Sequence, residues 1–412
     1  MSLRSGTSQP ATDDSGSPGR EEPARGPRIL VLAGEPSGDL HGSHLLRALR
    51  KRIPGVEFVG TGGERMRREG MELLAGLDEL AVMGFVEVLS RLPFFWRLER
   101  KVNAILDSGR VDLVLPIDYP GFNLRVAGRA HDRGVPVVFY IAPQVWAWKA
   151  HRAERLARVA DRIAVILPFE EEIFLREGGR AEYVGHPLLD RREDVPDRET
   201  FCRQEGLDPA RPILAIFPGS RAQELRRHLT LFLDVAARLR KRTPELQVAL
   251  AQAPGVSLAN DDPSVRVVED GRALLRHARA ALVKSGTTTL EAALEGVPFV
   301  VAYRTHPLTF WLARRLVQVE HVALANLVAG EEVVSEFLQD AATPAALVRA
   351  MEPLLEDGVE RSRMQEALAR VREQMGGPGA AERVAELVED VLAERGRWSR
   401  SGADGSDRKG EG

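Results

Sequence analysis

From Arg28 onward, short uninterrupted apolar runs alternate with stretches whose apolar residues recur every three or four positions. RILVLAG, VEFVGTGG, VDLVLPID, VPVVFYIAP and RIAVILP form a first series of runs. RPILAIFPGS, LQVALAQA, VRVVED, AALVKSG and VPFVVAYR form a second. Continuous rather than alternating apolar character predicts strands covered on both faces. Between them LHGSHLLRALRKR, RLARVAD and ELRRHLTLFLDVAARLRKR carry the helical period. Strand–helix alternation predicts right-handed βαβ units and parallel, doubly wound sheets. Two series predict an α/β chain with two Rossmann-like domains.

A charged, Pro-containing stretch around residues 188–211 separates the series. It predicts domains over 28–190 and 205–375, with a further helix at 376–396. The ends, 1–27 and 397–412, consist largely of Ser, Gly, Pro and charge, and bury too little to offset the entropy of ordering. They read as disordered tails.

Composition narrows the class. The 412 residues are 44% hydrophobic and 28% charged with a net charge of −3, which describes a globular protein and argues against a nucleic-acid partner. The single cysteine, Cys202, permits no internal disulfide and reads as a buried spectator in a reducing compartment. The N-terminus lacks the apolar core of a signal peptide, and no run approaches the ~20 apolar residues of a membrane span. The expected location is cytoplasmic, with attachment to a membrane surface left open.

In doubly wound folds ligands gather at the carboxyl ends of strands, so the strand-to-helix loops are the places to look. AGEPSGD (33–39) opens a helix with glycines and free amides; Glu35 and Asp39 read there either as functional acids or as helix N-terminal charges. The loop matches neither G-x-G-x-x-G nor a Walker loop. PIDYPGFN (116–123) places Asp118 just past an apolar strand, as a general base or as a helix cap. FPGSRAQEL (217–225) exposes the amides of Gly219 and Ser220, with Arg221 able to grip phosphate or simply to sit solvated at the surface.

VKSGTTTLE (283–291) is the most pointed of these loops. Ser285, Gly286, Thr287 and Thr288 offer hydroxyls and a close backbone at a helix N-terminus, and Glu291 lies about a turn inside. Diphosphate on the helix end and ribose on the acid make a nucleotide-diphosphate site. No D-x-D pair stands at a strand end and no H-E-x-x-H spacing occurs, so neither a metal nor a cofactor is expected. His186 and His321 stand singly and read as structural.

AGEPSGDLHG, ELAVMGFVEVL, IAPQVWAWK, LPFE, YVGHPL, PGSRAQE, SGTTTLEAAL and YRTHPLTFWLARRLV together resemble the lipid-A-disaccharide synthase family, from about Ile29 to about Gln374. The resemblance implies a GT-B fold, two Rossmann-like domains facing a cleft, and an inverting glycosyltransferase. Its implied reaction joins UDP-2,3-diacylglucosamine (a UDP-diacylglucosamine donor) to 2,3-diacylglucosamine 1-phosphate, the acceptor. The products are a β(1→6) disaccharide and UDP, made at the inner face of the bacterial inner membrane. Asp118, Arg221, Asn326 and Glu35 match polar positions of the family; Ala325 departs from a frequent proline. Asp118 is the expected base with Glu35 the alternative, Arg221 the stabiliser of departing UDP, and Asn326 a donor-site residue. The first domain becomes the acceptor and membrane-docking half, and a homodimer through the C-terminal half is implied. A UDP-sugar 2-epimerase and a non-catalytic UDP-sugar-binding membrane protein are the alternatives.

One segment fits the lipid substrates. GFVEVLSRLPFFWRLERKV (84–102) interleaves Phe94, Phe95 and Trp96 with Arg97, Arg100 and Lys101, beyond what one helix face buries. It reads either as a core helix with a basic face or as a segment docking on an anionic membrane surface. Pro93 is expected to interrupt the helix beside the aromatic cluster. Phe310, Trp311, Arg314 and Arg315 offer the same chemistry in the second domain.

Overall fold

The computed structural model describes residues 26–80, 92–146, 151–191, 195–253, 256, 258, 262–306, 310 and 320–398. The first sheet comprises β1 (Arg28–Ala33), β2 (Glu57–Gly62), β3 (Glu72–Gly76), β4 (Leu113–Ile117), β5 (Val138–Tyr140), β6 (Arg162–Val165) and β7 (Ala181–Tyr183). Its order is β3-β2-β1-β4-β5-β6-β7. The second comprises β8 (Ile213–Phe217), β9 (Gln247–Ala251), β10 (Val265–Val268), β11 (Ala280–Lys284), β12 (Phe299–Tyr303) and β13 (Glu336–Leu338), in the order β10-β9-β8-β11-β12-β13. Every pairing within them is parallel.

Both faces of the central strands are buried, which is why those strands read as unbroken apolar runs. Leu30 and Leu32 enter one core of the first domain, while Ile29 and Val31 enter the core on the opposite face. Ile213 and Ala215 divide in the same way from Leu214 and Ile216 in the second domain. Strand order reverses between β1 and β4 and again between β8 and β11. Those switch points open the crevices in which doubly wound folds bind ligands.

The C-terminal helix, Ala380–Glu394, is no free appendage. Ala381, Val384, Val388 and Leu392 pack into the first domain's core beside Leu45 and Leu49. Arg52 Nε donates to Glu389 Oε2 at 2.7 Å across that contact. The chain thus crosses to the second domain and returns. Helix Arg198–Glu205, from the charged stretch between the series, buries Phe201 and Cys202 in the second domain.

Candidate active site

A cavity of about 1060 Å³ lies between the domains. Its walls include Leu40, His44 and Lys51 from helix Pro36–Arg52 and the loops after β8 and β11. Because Phe217 pairs with Val283, those two loops leave the sheet side by side. The structure thereby gathers Gly219, Ser220, Arg221, Ser285, Gly286, Thr287, Thr288 and Glu291 on one cavity.

The three threonines divide their work. Thr287 and Thr288 line the cavity at the start of helix Thr287–Leu294. Thr289 is fully buried: its hydroxyl donates to Gly286 O at 2.8 Å and accepts from Leu324 N at 3.0 Å, fastening the turn. Ser285 Oγ donates to Val322 O at 2.9 Å. Gly286 precedes the helix at φ 149°, backbone that side-chain-bearing residues rarely adopt. Glu291 Oε1 accepts from Arg191 Nη1 at 3.0 Å.

Two cavity residues escaped the sequence reading. Glu224 Oε1 accepts from Lys284 Nζ at 2.9 Å, and its Oε2 accepts from Ser220 N at 3.0 Å. Burial pushes the Glu224 carboxyl up, but the Lys284 ammonium, Ser220 N–H and Arg221 outweigh it and hold the group below the usual range. Both lie in quoted motifs, yet only the neighbouring strand ends bring them together.

Asn326 does not line this cavity. It is fully buried; its Nδ2 donates to Val334 O at 2.9 Å and Glu336 Oε1 at 2.8 Å, and its Oδ1 accepts from Val333 N and Val334 N. Glu336 in turn accepts from the amides of Val322 and Ala323. Asn326 therefore supports the segment that Ser285 grips and has no group left for a ligand.

Asp118 and Glu35 form a second cluster at the first sheet's switch point, outside the cavity lining. Ala33 pairs with Ile117, so the residues just beyond come together. Burial first, then the charge of Glu35, pushes the Asp118 carboxyl up to about 6, against one backbone hydrogen bond from Tyr119. Asp118 and Tyr119 both hold φ 49°, and Ile141, just past the adjacent strand, holds φ 60°. Left-handed backbone at three non-glycine residues costs on the order of 1–3 kcal/mol each and gathers where geometry serves function. Asn123 Nδ2 pins the turn by donating to Asp118 O at 2.7 Å. Asp39 is structural: it accepts from the amides of Gly63, Arg65 and Met66 at the start of helix Glu64–Arg68.

Glu170, also missed, is 1% exposed and accepts from Trp146 Nε1 at 3.0 Å and from the Leu167 and Ile166 amides. Burial pushes its carboxyl up to about 7. His186 is buried, its Nδ1 accepting from Leu188 N at 3.1 Å. Burial, with His41 and Arg191 adding to it, lowers the imidazole to about 3, so it is neutral and structural.

Helix Leu92–Asp107 carries the aromatic segment. Pro93 stands in its first turn, where a missing N–H leaves no bond unmade, so the helix is not interrupted there. Phe94 and Phe95 are half-buried against the core, Phe95 lying 6.5 Å from the Phe122 ring. Trp96 is 66% exposed, and Arg97 is exposed beside it. Residues 84–91 and Trp311, Arg314 and Arg315 lie outside the described residues. Among the described residues no group of three or more His, Cys, Asp or Glu is arranged for a metal, and no helix is long and apolar enough to cross a membrane.

The profile of one family, "Lipid-A-disaccharide synthetase", matches residues 29–391. The chain belongs to the lipid-A-disaccharide synthase family. It is 42% identical to the lipid-A-disaccharide synthase of Syntrophotalea carbinolica over 376 residues, covering 89% of this chain and 96% of that one. The Coxiella burnetii synthase is 37% identical over 369 residues, 88% and 98% of the two chains. As a family member this protein is a glycosyltransferase of lipid A disaccharide synthesis, which sets aside the epimerase and non-catalytic alternatives. Two solved structures share the fold alone. The glycosyltransferase of kitacinnamycin superposes with a TM-score of 0.59 at 17% identity, covering 89% of this chain and 99% of that one. The UDP-GlcNAc 2-epimerase from Neisseria meningitidis bound to UDP-GlcNAc gives 0.58 at 11%, covering 89% and 100%. The two Rossmann-like domains expected from the strand pattern and the GT-B fold implied by the resemblance both stand.

Proposed function

We propose that this glycosyltransferase binds the diphosphate of UDP-2,3-diacylglucosamine on the loops after β8 and β11 and transfers the sugar to 2,3-diacylglucosamine 1-phosphate. The observation that carries it is the meeting of two helix N-termini, Arg221 and Glu291 on one cavity of about 1060 Å³. Arg221 forms no ion pair within 4 Å among the described residues, so its guanidinium is free to take a phosphate. Helix-end amides and an Arg fork both favour an anion.

Asp118 takes the proton of the acceptor's 6-hydroxyl. The freed oxygen attacks the anomeric carbon from the face opposite UDP, a C–O bond forms, and the bond to phosphate breaks with its electrons leaving on UDP. Arg221 and the amides of Ser220, Gly286 and Thr287 receive that charge, so the step needs no metal. Glu35 raises the basicity of Asp118 and is the alternative base. Trp96 with Arg97, Arg100 and Lys101 docks the first domain on an anionic surface at the inner face of the inner membrane, where both acylated substrates reside. Pairing of two copies through the C-terminal half belongs to the same proposal, and light scattering reads it.

Incubation with both lipid substrates and mass spectrometry of the product tests the reaction. A disaccharide 1-phosphate appearing with equimolar UDP supports it; UDP-sugar consumed without acceptor overturns it.

A further inference from the structure

Two potential phosphate donors on the cavity wall are already engaged by a side chain of the protein itself. The Glu224 carboxylate bridges Lys284 Nζ, at 2.9 Å, and the amide of Ser220, at 3.0 Å. One donor comes from the loop after β8 and the other from the end of β11, the two elements proposed to hold the diphosphate. A carboxylate resembles one face of a phosphate group in charge and in spacing of acceptor oxygens.

The site is built for this arrangement. Gly219 stands at φ 123°, and a side chain there would meet Glu224 Cβ and Oε2 at 2.6 Å. Only glycine lets the carboxylate fold back over the loop. His228, fully buried, fixes the helix behind it: its Nδ1 bonds Glu224 O at 2.8 Å, and its Nε2 accepts from Arg304 N at 2.9 Å. Lys284 Nζ also sits 5.5 Å over the Tyr303 ring, which stacks on His228 at 6.0 Å. Lys284 is thus a poised cation on the cavity wall and not a solvated surface lysine; its side chain is 17% exposed. A glutamate three residues into a helix usually caps its own first turn. Glu224 does so toward Ser220 while reaching a lysine 60 residues away, which capping alone does not require.

We propose that Lys284 is a binding residue for the donor's diphosphate and that Glu224 is its resident counter-ion, exchanged for the ligand when the nucleotide enters. This rests on the proposed placement of the donor. An internal anion that must leave lowers apparent affinity by the fraction of molecules in which the site is free, so it also discriminates against weakly charged ligands.

Calorimetry on the full chain with UDP and with uridine tests the proposal. Lys284→Met should weaken UDP about tenfold or more, the magnitude of a lost charge-assisted hydrogen bond, and leave uridine unchanged. Lys284→Arg should recover most of the loss. Glu224→Gln, which keeps the shape but not the charge, should tighten UDP roughly three- to tenfold without moving uridine. A Glu224→Gln protein that binds UDP no better than wild type overturns the exchange and leaves Glu224 as a fixed support for Lys284. An unchanged UDP-to-uridine ratio in Lys284→Met overturns the assignment of Lys284. Arg221→Ala separates these failures from a misplaced donor: if it too leaves UDP binding intact, the donor site itself is wrong. Should Glu224→Gln fail to fold, a structure of the wild-type protein with UDP reads the exchange directly. Lys284 Nζ on a phosphate oxygen, with Glu224 withdrawn, supports it; an intact Glu224–Lys284 pair overturns it.

Discussion

Arg191 Nη1 donates to Glu291 Oε1 at 3.0 Å, so the segment joining the two domains grips the helix that begins at the SGT turn. The pair fixes the carboxylate, and under the proposed placement of the donor Oε2 takes the vicinal diol of the ribose. Glu291→Ala should weaken UDP by about tenfold, as expected for hydrogen bonds to a charged group. Arg191→Met should cost less, through lost orientation alone. Calorimetry that finds Glu291→Ala binding UDP like wild type removes the ribose from this carboxylate.

Asp118 should set the acid limb of the pH–rate profile. With its carboxyl pushed up to about 6, the base is ionised above that pH, and activity should rise through it. Asp118→Asn should lower kcat by about 10²–10⁴-fold while UDP affinity holds. Linkage gives a second readout. A raised carboxyl stabilises the fold at low pH and loses that contribution as pH rises through about 6. Asp118→Asn should therefore melt above wild type at pH 8, with the gain shrinking by pH 4. Retained turnover in the Asn protein would move the base to Glu35.

Asn326→Ala removes a side chain that satisfies two backbone amides, a carbonyl and Glu336 inside the second domain. Stranded buried groups cost about 1–3 kcal/mol each, so a large fall in melting temperature is expected. Activity lost without any loss of stability would return Asn326 to the ligand.

Trp96 and Phe95 should part company. Trp96→Ser should leave the melting temperature within error and cut co-sedimentation with anionic vesicles, because the ring is 66% exposed. Phe95→Ser should instead destabilise the first domain, where the ring packs near Phe122. Unaltered vesicle binding by Trp96→Ser would place the docking surface elsewhere.

Excess EDTA should leave turnover unchanged, since Arg221 and helix amides are proposed to carry the charge of departing UDP. Activity lost in chelator and restored by magnesium would refute the metal-free step.

Much of the architecture was legible because a strand buried on both faces must be apolar at every position. Ten strands came close enough to that condition to be readable as runs, edge strand β10 (VRVV) among them despite its exposed Arg266. The three that were not, β3 (ELLAG), β7 (AEY) and β13 (EFL), all lie at sheet edges, where one side is solvated and short segments carry charge. The return of helix Ala380–Glu394 to the first domain was likewise illegible, since an amphipathic period says that a face is buried but not against what.

The sequence by itself determined the loops: glycine, hydroxyl and Arg residues placed just after apolar runs can sit nowhere but at strand ends, and Gly219, Ser220, Arg221 and Ser285–Thr288 do line one cavity. Partnership was decided by the tertiary structure alone. Asn326 looked like a ligand group until its hydrogen bonds closed on backbone, and Glu224 drew no notice until β8 and β11 set it against Lys284. A residue's type fixes what it can donate or accept. Which neighbour takes that bond depends on strand order and register, and those follow from the packing of the whole chain.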